Sequence, residues 1–320
     1  MSYLVTGGTG FIGGYITKPL IQQGENVVTY DVDPTREILE RIMGKEDSDL
    51  LTVIHGDVTD LPHIIHIVKE NHIECIIHMA SILSHASIAN PSMAVQINIG
   101  GAVNVLETAR ILGLKKVVLA SSAGIFGPQE KYAEEYIPND APHYPREIYA
   151  ACKSFNEQLA KLYFTEYGVD TLAIRYCMVY GVGQKGGVSA TLTRELMIKP
   201  ALGQPSKVPH GGVTINWLYV EDAARATVMA SKAPTTKTRA FCIDGDIHTV
   251  DEVADYVKQL VPGTEIRVLQ GPPLFAMKYD TTPIKEEIGY RPEWTMEQGV
   301  KKVVDSIRKE AQREGEGITY

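Results

Sequence analysis

The sequence predicts an α/β fold: a doubly wound parallel sheet with a smaller C-terminal substrate-binding domain. Three observations predict it. Short, near-continuous apolar runs alternate with longer helical stretches through roughly the first 180 residues. Strands apolar on both faces belong to a parallel sheet covered on both sides. A glycine-rich turn, Gly7 to Gly13, directly follows the first apolar run. The 320 residues also suffice to bury one large core or two associated ones.

The first strand centres on Leu4-Val5, and a helix follows from about Phe11 to Gln23, in which Pro19 is expected to introduce a kink. The next strands are Asn26–Tyr30, Leu51–Ile54, Glu74–His78, Lys116–Ala120 and Thr171–Arg175. Right-handed crossovers between them make the sheet doubly wound. After Tyr180 the character changes. Gly181, Gly183, Gly186 and Gly187 read as a flexible connection, followed by a helix near Thr191–Ile198 and a loop from Gly203 to Gly212. Strand-like Phe241-Cys242-Ile243 and helices near Asp251–Leu260 and Met296–Lys309 complete the chain. Residues 1–180 are therefore expected to form the sheet domain, with later strands returning to it. Residues 181–320 are expected to cap the carboxyl ends of the strands, where such sheets bind ligands.

Composition excludes several classes of function. A hydrophobic fraction of 44% and a charged fraction of 22% are those of an ordinary soluble globular protein. The net charge of −8, without a block of Lys or Arg, argues against a nucleic-acid partner. No apolar run approaches the ~20 residues that span a bilayer, so no membrane is expected. The first strand begins at Tyr3, which leaves no signal peptide. Cys75, Cys152, Cys177 and Cys242 lie far apart without a C-x-x-C pair and read as reduced thiols of a cytoplasmic protein. His63, His66, His72 and His78 lack metal-ligand spacing, and no metal is expected.

The glycine run carries the first chemistry. Gly7, Gly10 and Gly13 are spaced G-x-x-G-x-x-G between strand and helix. The first permits a sharp turn, the second a close backbone approach to pyrophosphate, the third close helix–strand packing. The helix opening near Phe11 and Ile12 offers free N–H groups and a positive dipole end to an anion. Asp31 ends the second strand, eighteen residues after Gly13. There a carboxylate can accept from ribose hydroxyls and repel a 2′-phosphate, which favours NAD over NADP. A turn in Tyr30-Asp31-Val32-Asp33-Pro34 would also account for this Asp. Asp57 could bind the adenine amino group, whereas Asp60 reads as a helix N-cap.

The second constellation is Ser122, Tyr149 and Lys153. Tyr149 and Lys153 stand four apart and so share a helix face, a spacing no other tyrosine of the chain has with a lysine. A surface tyrosine beside a solvated lysine would look the same. Ser122, however, ends the fifth strand at the mouth of the sheet. A tyrosine of ordinary pKa near ~10 is a poor base, and a nearby ammonium is expected to lower that value. Tyr149 would then take a proton from a substrate hydroxyl that Ser122 holds, while a bound nicotinamide carries the redox step.

These motifs together resemble the extended short-chain dehydrogenases/reductases, the NAD-dependent epimerase/dehydratase family. Thr6–Gly13 is similar to its nucleotide fingerprint, Gly56-Asp57-Val58 to its adenine-contact motif and His78-Met79-Ala80-Ser81 to its H-x-A-[AS] motif. Ser121–Gly127 resembles its serine strand and Tyr149–Lys153 its Y-x-x-x-K. Arg175-Tyr176, Trp217–Ala226 and Ile288–Pro292 also fit, so the likeness spans nearly the whole chain. It implies a Rossmann fold and NAD held by Gly7, Gly10, Phe11, Ile12, Gly13, Asp31, Asp57, Val58, Ala80 and Lys153, with Lys153 also orienting the nicotinamide ribose. It implies a homodimer through helices around Pro91–Leu112 and Glu147–Tyr167.

The departures bear on the substrate. Members acting on nucleotide sugars often read R-Y-F-N-V-x-G, whose Asn touches the substrate; here Met178 stands there. They often clasp the diphosphate with an Arg-Asp pair, where this chain reads Thr214-Ile215-Asn216-Trp217. A bidentate arginine is not easily replaced by Asn, although Lys185, Lys207 or Arg267 could substitute. Ser81-Ile82-Leu83-Ser84-His85, with Asn90-Pro91, Asn98 and the loop Gly186–Ser189, loosely resembles the threonine-dehydrogenase branch. Ser84, His85, Ser122, Tyr149, Met178 and Asn216 are therefore expected on the substrate side, although His85 also reads as a solvated or structural histidine. The expected activity is NAD-dependent oxidation of a secondary alcohol on a small polar molecule: a hydroxy amino acid, sugar or sugar acid. A nucleotide-sugar epimerase or dehydratase holding its NAD tightly is the alternative, and a redox-sensing or scaffold protein that kept the fold but not the chemistry is a third.

Overall fold

The computed structural model describes residues 1–272 and 274–315. Twelve strands follow in order: β1 (Ser2–Thr6), β2 (Asn26–Asp31), β3 (Thr52–His55), β4 (Cys75–His78), β5 (Lys116–Ser122), β6 (Thr171–Tyr176), β7 (Met178–Tyr180), β8 (Ser206–Gly211), β9 (Thr214–Tyr219), β10 (Ala240–Cys242), β11 (Asp246–Thr249) and β12 (Ile266–Gln270). Seven of them form one sheet in the order β10-β6-β5-β4-β1-β2-β3. Its pairings are all parallel. The chain moves outward from β1 to β3, then returns across β1 to β4. That reversal opens a crevice at the carboxyl ends of β1 and β4, where doubly wound sheets bind nucleotides.

Alternation along each strand feeds two cores. Leu4, Val28, Ile76 and Val117 point to the side covered by the helices Leu61–Glu70, Gly101–Leu112 and Ile148–Tyr167. Tyr3, Val5, Val27, Ile77 and Val118 face the other side with the helices Phe11–Gln22 and Val220–Lys232. The first helix continues past Pro19 to Gln22. So near the C-terminal end, Pro19 removes only the partner of the Tyr15 carbonyl.

Beyond β6 the chain builds two small sheets, β11-β9-β7 and β12-β8, while β10 joins the edge of the main sheet. The expected loop between Gly203 and Gly212 is in fact β8, drawn into a strand by parallel pairing with β12. Nor are Gly181 and Gly183 a loose connection. Their φ angles are +159° and +97°, and a Cβ would lie 2.5 Å from Val220 and 2.9 Å from Ile38. They let the chain cross close to the first helix.

A buried ionic cluster ties the main sheet to the helix Ile148–Tyr167. The Arg175 guanidinium donates to both Glu157 carboxylate oxygens (2.7–3.2 Å) and to the Asn139 carbonyl (2.5 Å). Ser121 Oγ donates to Glu157 Oε1 at 2.5 Å. Removing one partner of such a pair strands the other charge in the interior. Glu157→Ala is expected to cost roughly 3–5 kcal/mol of stability, and the double change Glu157→Leu/Arg175→Met distinctly less. Denaturant unfolding of the three proteins checks this; a double variant no more stable than the single would show that stranded charge is not the cause.

Candidate active site

The glycine turn is built by close approaches that side chains would block. Gly7 has φ +67°, and a Cβ there would stand 2.7 Å from the Ala80 nitrogen. On Gly13 it would stand 2.1 Å from the Gly7 carbonyl oxygen. Gly10 caps the first helix, whose hydrogen bonding begins with Gly14 N–H to Gly10 C=O. The amides of Phe11, Ile12 and Gly13 are thus the first-turn donors left without an intrahelical acceptor. Asp31 stands beside this loop: its carboxylate accepts the Thr9 amide at 3.3 Å and the Asp33 amide at 3.2 Å.

Asp57 is exposed and accepts from the Thr59 amide (2.8 Å) and hydroxyl (2.9 Å), while Val58 is buried against Gly101. Ala80 leaves β4 with its amide directed to Thr6 Oγ1 at 3.4 Å. Thr6 also shares a 2.7 Å hydrogen bond with His78, whose pKa burial pushes down to about 3, with Lys153 adding to the shift. His78 is therefore a neutral structural group. A side-chain-free turn, a helix start and a flanking carboxylate at the sheet's switch point fit a dinucleotide.

Ser122 ends β5, and its Oγ accepts the Gly124 amide at 3.1 Å. A Cβ on Gly124 would lie 3.3 Å from Ser122 Oγ and 3.8 Å from Ala150 Cβ, which brings the serine against the start of the tyrosine helix. One turn further along that helix, Lys153 Nζ stands 5.5 Å from the Tyr149 ring centre. Lys153 is 1% exposed, and burial lowers its pKa to about 8. Tyr149 keeps some solvent-accessible surface yet is crowded by protein. The expected lowering of its pKa is not what the chain's own groups produce. Burial pushes the phenol upward and the Glu147 carboxylate adds to this. Removal from water is the larger of the two causes.

On the substrate side, Ser84 Oγ donates to Glu147 Oε1 at 2.8 Å, joining the segment after β4 to the start of the tyrosine helix. Gly186 comes over the same segment; a Cβ on it would lie 3.8 Å from Leu83. His85 is exposed on the short helix Ser84–Ala89, and Met178 is buried in β7 beside Trp217. Asn216 corrects an expectation. It is wholly buried; its amide donates to the Met277 carbonyl (3.0 Å) and accepts from the Gly245 amide (2.8 Å) and the Cys177 thiol (3.2 Å). It fastens three segments together, and its side-chain oxygen and amide are committed to them.

A cavity of about 540 Å³ opens between Gly211–Thr214 and Leu274–Lys278 in the C-terminal part. Sequence reading passed over Glu147 and Glu157. Glu157 carried a signal, lying one turn beyond Lys153 on the same helix; Glu147 carried one only by preceding Tyr149 by two residues. It also passed over Asp246, His248 and Glu297, whose ligand atoms lie within 4.8 Å of one another. Asp246 there accepts the Met296 amide at 3.0 Å and so caps the last helix.

Residues 3–243 match the model of the NAD dependent epimerase/dehydratase family. A UDP-glucose 4-epimerase of Mycolicibacterium smegmatis is 28% identical over 98% of this chain and 100% of its own length. The solved UDP-glucose 4-epimerase of Thermus thermophilus, in complex with NAD, superposes with a TM-score of 0.81 at 26% identity, covering 96% of this chain and 99% of that one. A partial-consensus L-threonine 3-dehydrogenase superposes with a TM-score of 0.85 at 24% identity, covering 98% and 99%. With the glycine turn, its flanking aspartate and the doubly wound sheet, the match over most of its length makes this chain a member of the NAD-dependent epimerase/dehydratase family, whose cofactor is NAD.

Proposed function

We propose that this member is a dehydrogenase that oxidises a secondary alcohol on a small polar substrate. One observation carries the reading: at the place where a diphosphate-clasping arginine would stand, the chain has Ile215 and Asn216, both wholly buried. Gly7, Gly10, Phe11, Ile12, Gly13, Asp31, Asp57, Val58 and Ala80 would hold NAD, with Lys153 at the nicotinamide ribose. When bound there, NAD would supply the oxidant for removing hydrogen with its electron pair from the carbinol carbon. Tyr149 Oη takes the hydroxyl proton as the carbon–oxygen bond becomes a carbonyl. Ser122, whose Oγ accepts from Gly124, keeps its own proton free to hold the substrate oxygen. Lys153 contributes its positive charge near the phenol. Ser84 and His85 would line the substrate, and Met178 would close the wall behind it.

The name of the M. smegmatis relative supports a second reading, a nucleotide-sugar 4-epimerase. The assay that separates them follows reduced-nicotinamide absorbance on purified protein with added NAD. Steady NADH accumulation is expected with a hydroxy amino acid, sugar or sugar acid; a converted nucleotide sugar without accumulation would establish the epimerase.

Tyr149→Phe is expected to lower turnover by at least ~10²-fold while NAD binding stays nearly intact. Turnover within tenfold of wild type would remove Tyr149 from the mechanism. Four buried, unpaired cysteines support a reducing, cytoplasmic compartment. No helix of the described residues is long and apolar enough to cross a membrane. Ile88, Val95, Phe155 and Leu162 are each about half exposed or more on the helices between Ser84 and Tyr167, which supports a homodimer. Sedimentation should give about twice 35.2 kDa; a monomer mass would overturn that assembly.

A further inference from the structure

Glu147 ties the Ser84 segment to the tyrosine helix, yet that neutral contact does not call for a full negative charge. It is half-buried, two residues before Tyr149, at the N-cap of the tyrosine helix. Its carboxylate takes a neutral hydrogen bond from Ser84, and no basic side chain among the described residues pairs with it. The segment holding Ser84 lies under the Gly186 loop, so the carboxylate belongs to the same corner as the residues expected to line the substrate. Partly desolvated charges at such positions are ordinarily paired. Resting on the dehydrogenase reading, we propose that Glu147 is a specificity-determining residue that recognises a protonated amine on the substrate, next to the alcohol carbon that is oxidised.

The chemistry of the neighbouring phenol supports it. Glu147 works against ionising Tyr149. An ammonium seated on Glu147 would cancel that negative field, so one contact would both bind the amino substrate and ease proton transfer to Tyr149. A hydroxy substrate without an amine would gain neither. Glu147→Gln keeps an acceptor for Ser84 while removing the charge, which separates recognition from local structure.

The experiment compares wild type and E147Q, full chain with NAD, on L-threonine and on 3-hydroxybutyrate, which has the same carbon chain and hydroxyl but no amine. Wild type should prefer L-threonine by kcat/KM. E147Q should lose on the order of 10²-fold on L-threonine, mostly through KM, the low end of what removing one partner of a charge pair closed off by bound substrate costs. On 3-hydroxybutyrate it should be unchanged or faster. D-glucosamine against D-glucose gives the same comparison on a sugar frame. An equal loss on both members of a pair would make Glu147 merely structural and overturn the proposal, as would wild-type oxidation of only the amine-free members. NADH from none of them, with a nucleotide sugar epimerised, would instead overturn the dehydrogenase reading and the proposal with it.

Discussion

The pairing of Arg175 with Glu157 is the constraint on which the rest of the site depends. Both groups are buried to about nineteen parts in twenty, 5% and 6% exposed, where an unpaired charge is very costly. Each partner is therefore held by every hydrogen bond within reach. Arg175 comes from β6, Glu157 from the tyrosine helix, Ser121 from β5, and the Asn139 carbonyl from the segment crossing the strand ends. Asn139 in turn donates to the Ala240 carbonyl and accepts the Cys242 amide, which fixes β10 at the sheet edge. The guanidinium also lies 5.2 Å from the Phe126 ring centre, and Phe126 stacks on Tyr279 of the C-terminal part. Ser121 precedes Ser122, and Glu157 lies one turn beyond Lys153. The pair thus sets the separation between the strand carrying the serine and the helix carrying Tyr149 and Lys153.

Beside this cluster, burial sets the direction in which three side chains titrate. Burial keeps His78 neutral, brings Lys153 to about 8 and pushes the Tyr149 phenol up. All three shifts favour the uncharged form. The chain's own groups therefore favour the protonated phenol, and the proposed role of Tyr149 as a base would call for positive charge brought in with the reactants.

The main sheet was legible because its strands are apolar on both faces and punctuated by helices, so periodicity and burial agree. The glycine turn was legible because Gly7 and Gly13 answer to contacts that admit no Cβ. Reading failed where pairing came from far along the chain. β8 carries Pro209, ends on Gly211 and looked like a loop; its partner β12 lies more than fifty residues away. Gly181 and Gly183 read as looseness because the packed Val220 and Ile38 are invisible from the local sequence. Asn216 was misplaced for the same reason: its three partners come from Cys177, Gly245 and Met277, and no local pattern marks an amide as structural.

Asn216 also bears on why one fold can serve both a diphosphate-bearing sugar and a smaller alcohol. Position 216 lies in β9, between the strand that follows β6 and the β11 edge, with its side chain turned into the protein. An amide there can satisfy one backbone carbonyl, one backbone amide and a thiol without carrying charge. A guanidinium in the same surroundings would need a counter-ion, which a bound diphosphate supplies and a small neutral alcohol does not. Glu147, which takes only a neutral hydrogen bond from Ser84, lies away from β9; under the reading proposed above, recognition would move from an arginine at a distant phosphate to a carboxylate at the reacting end.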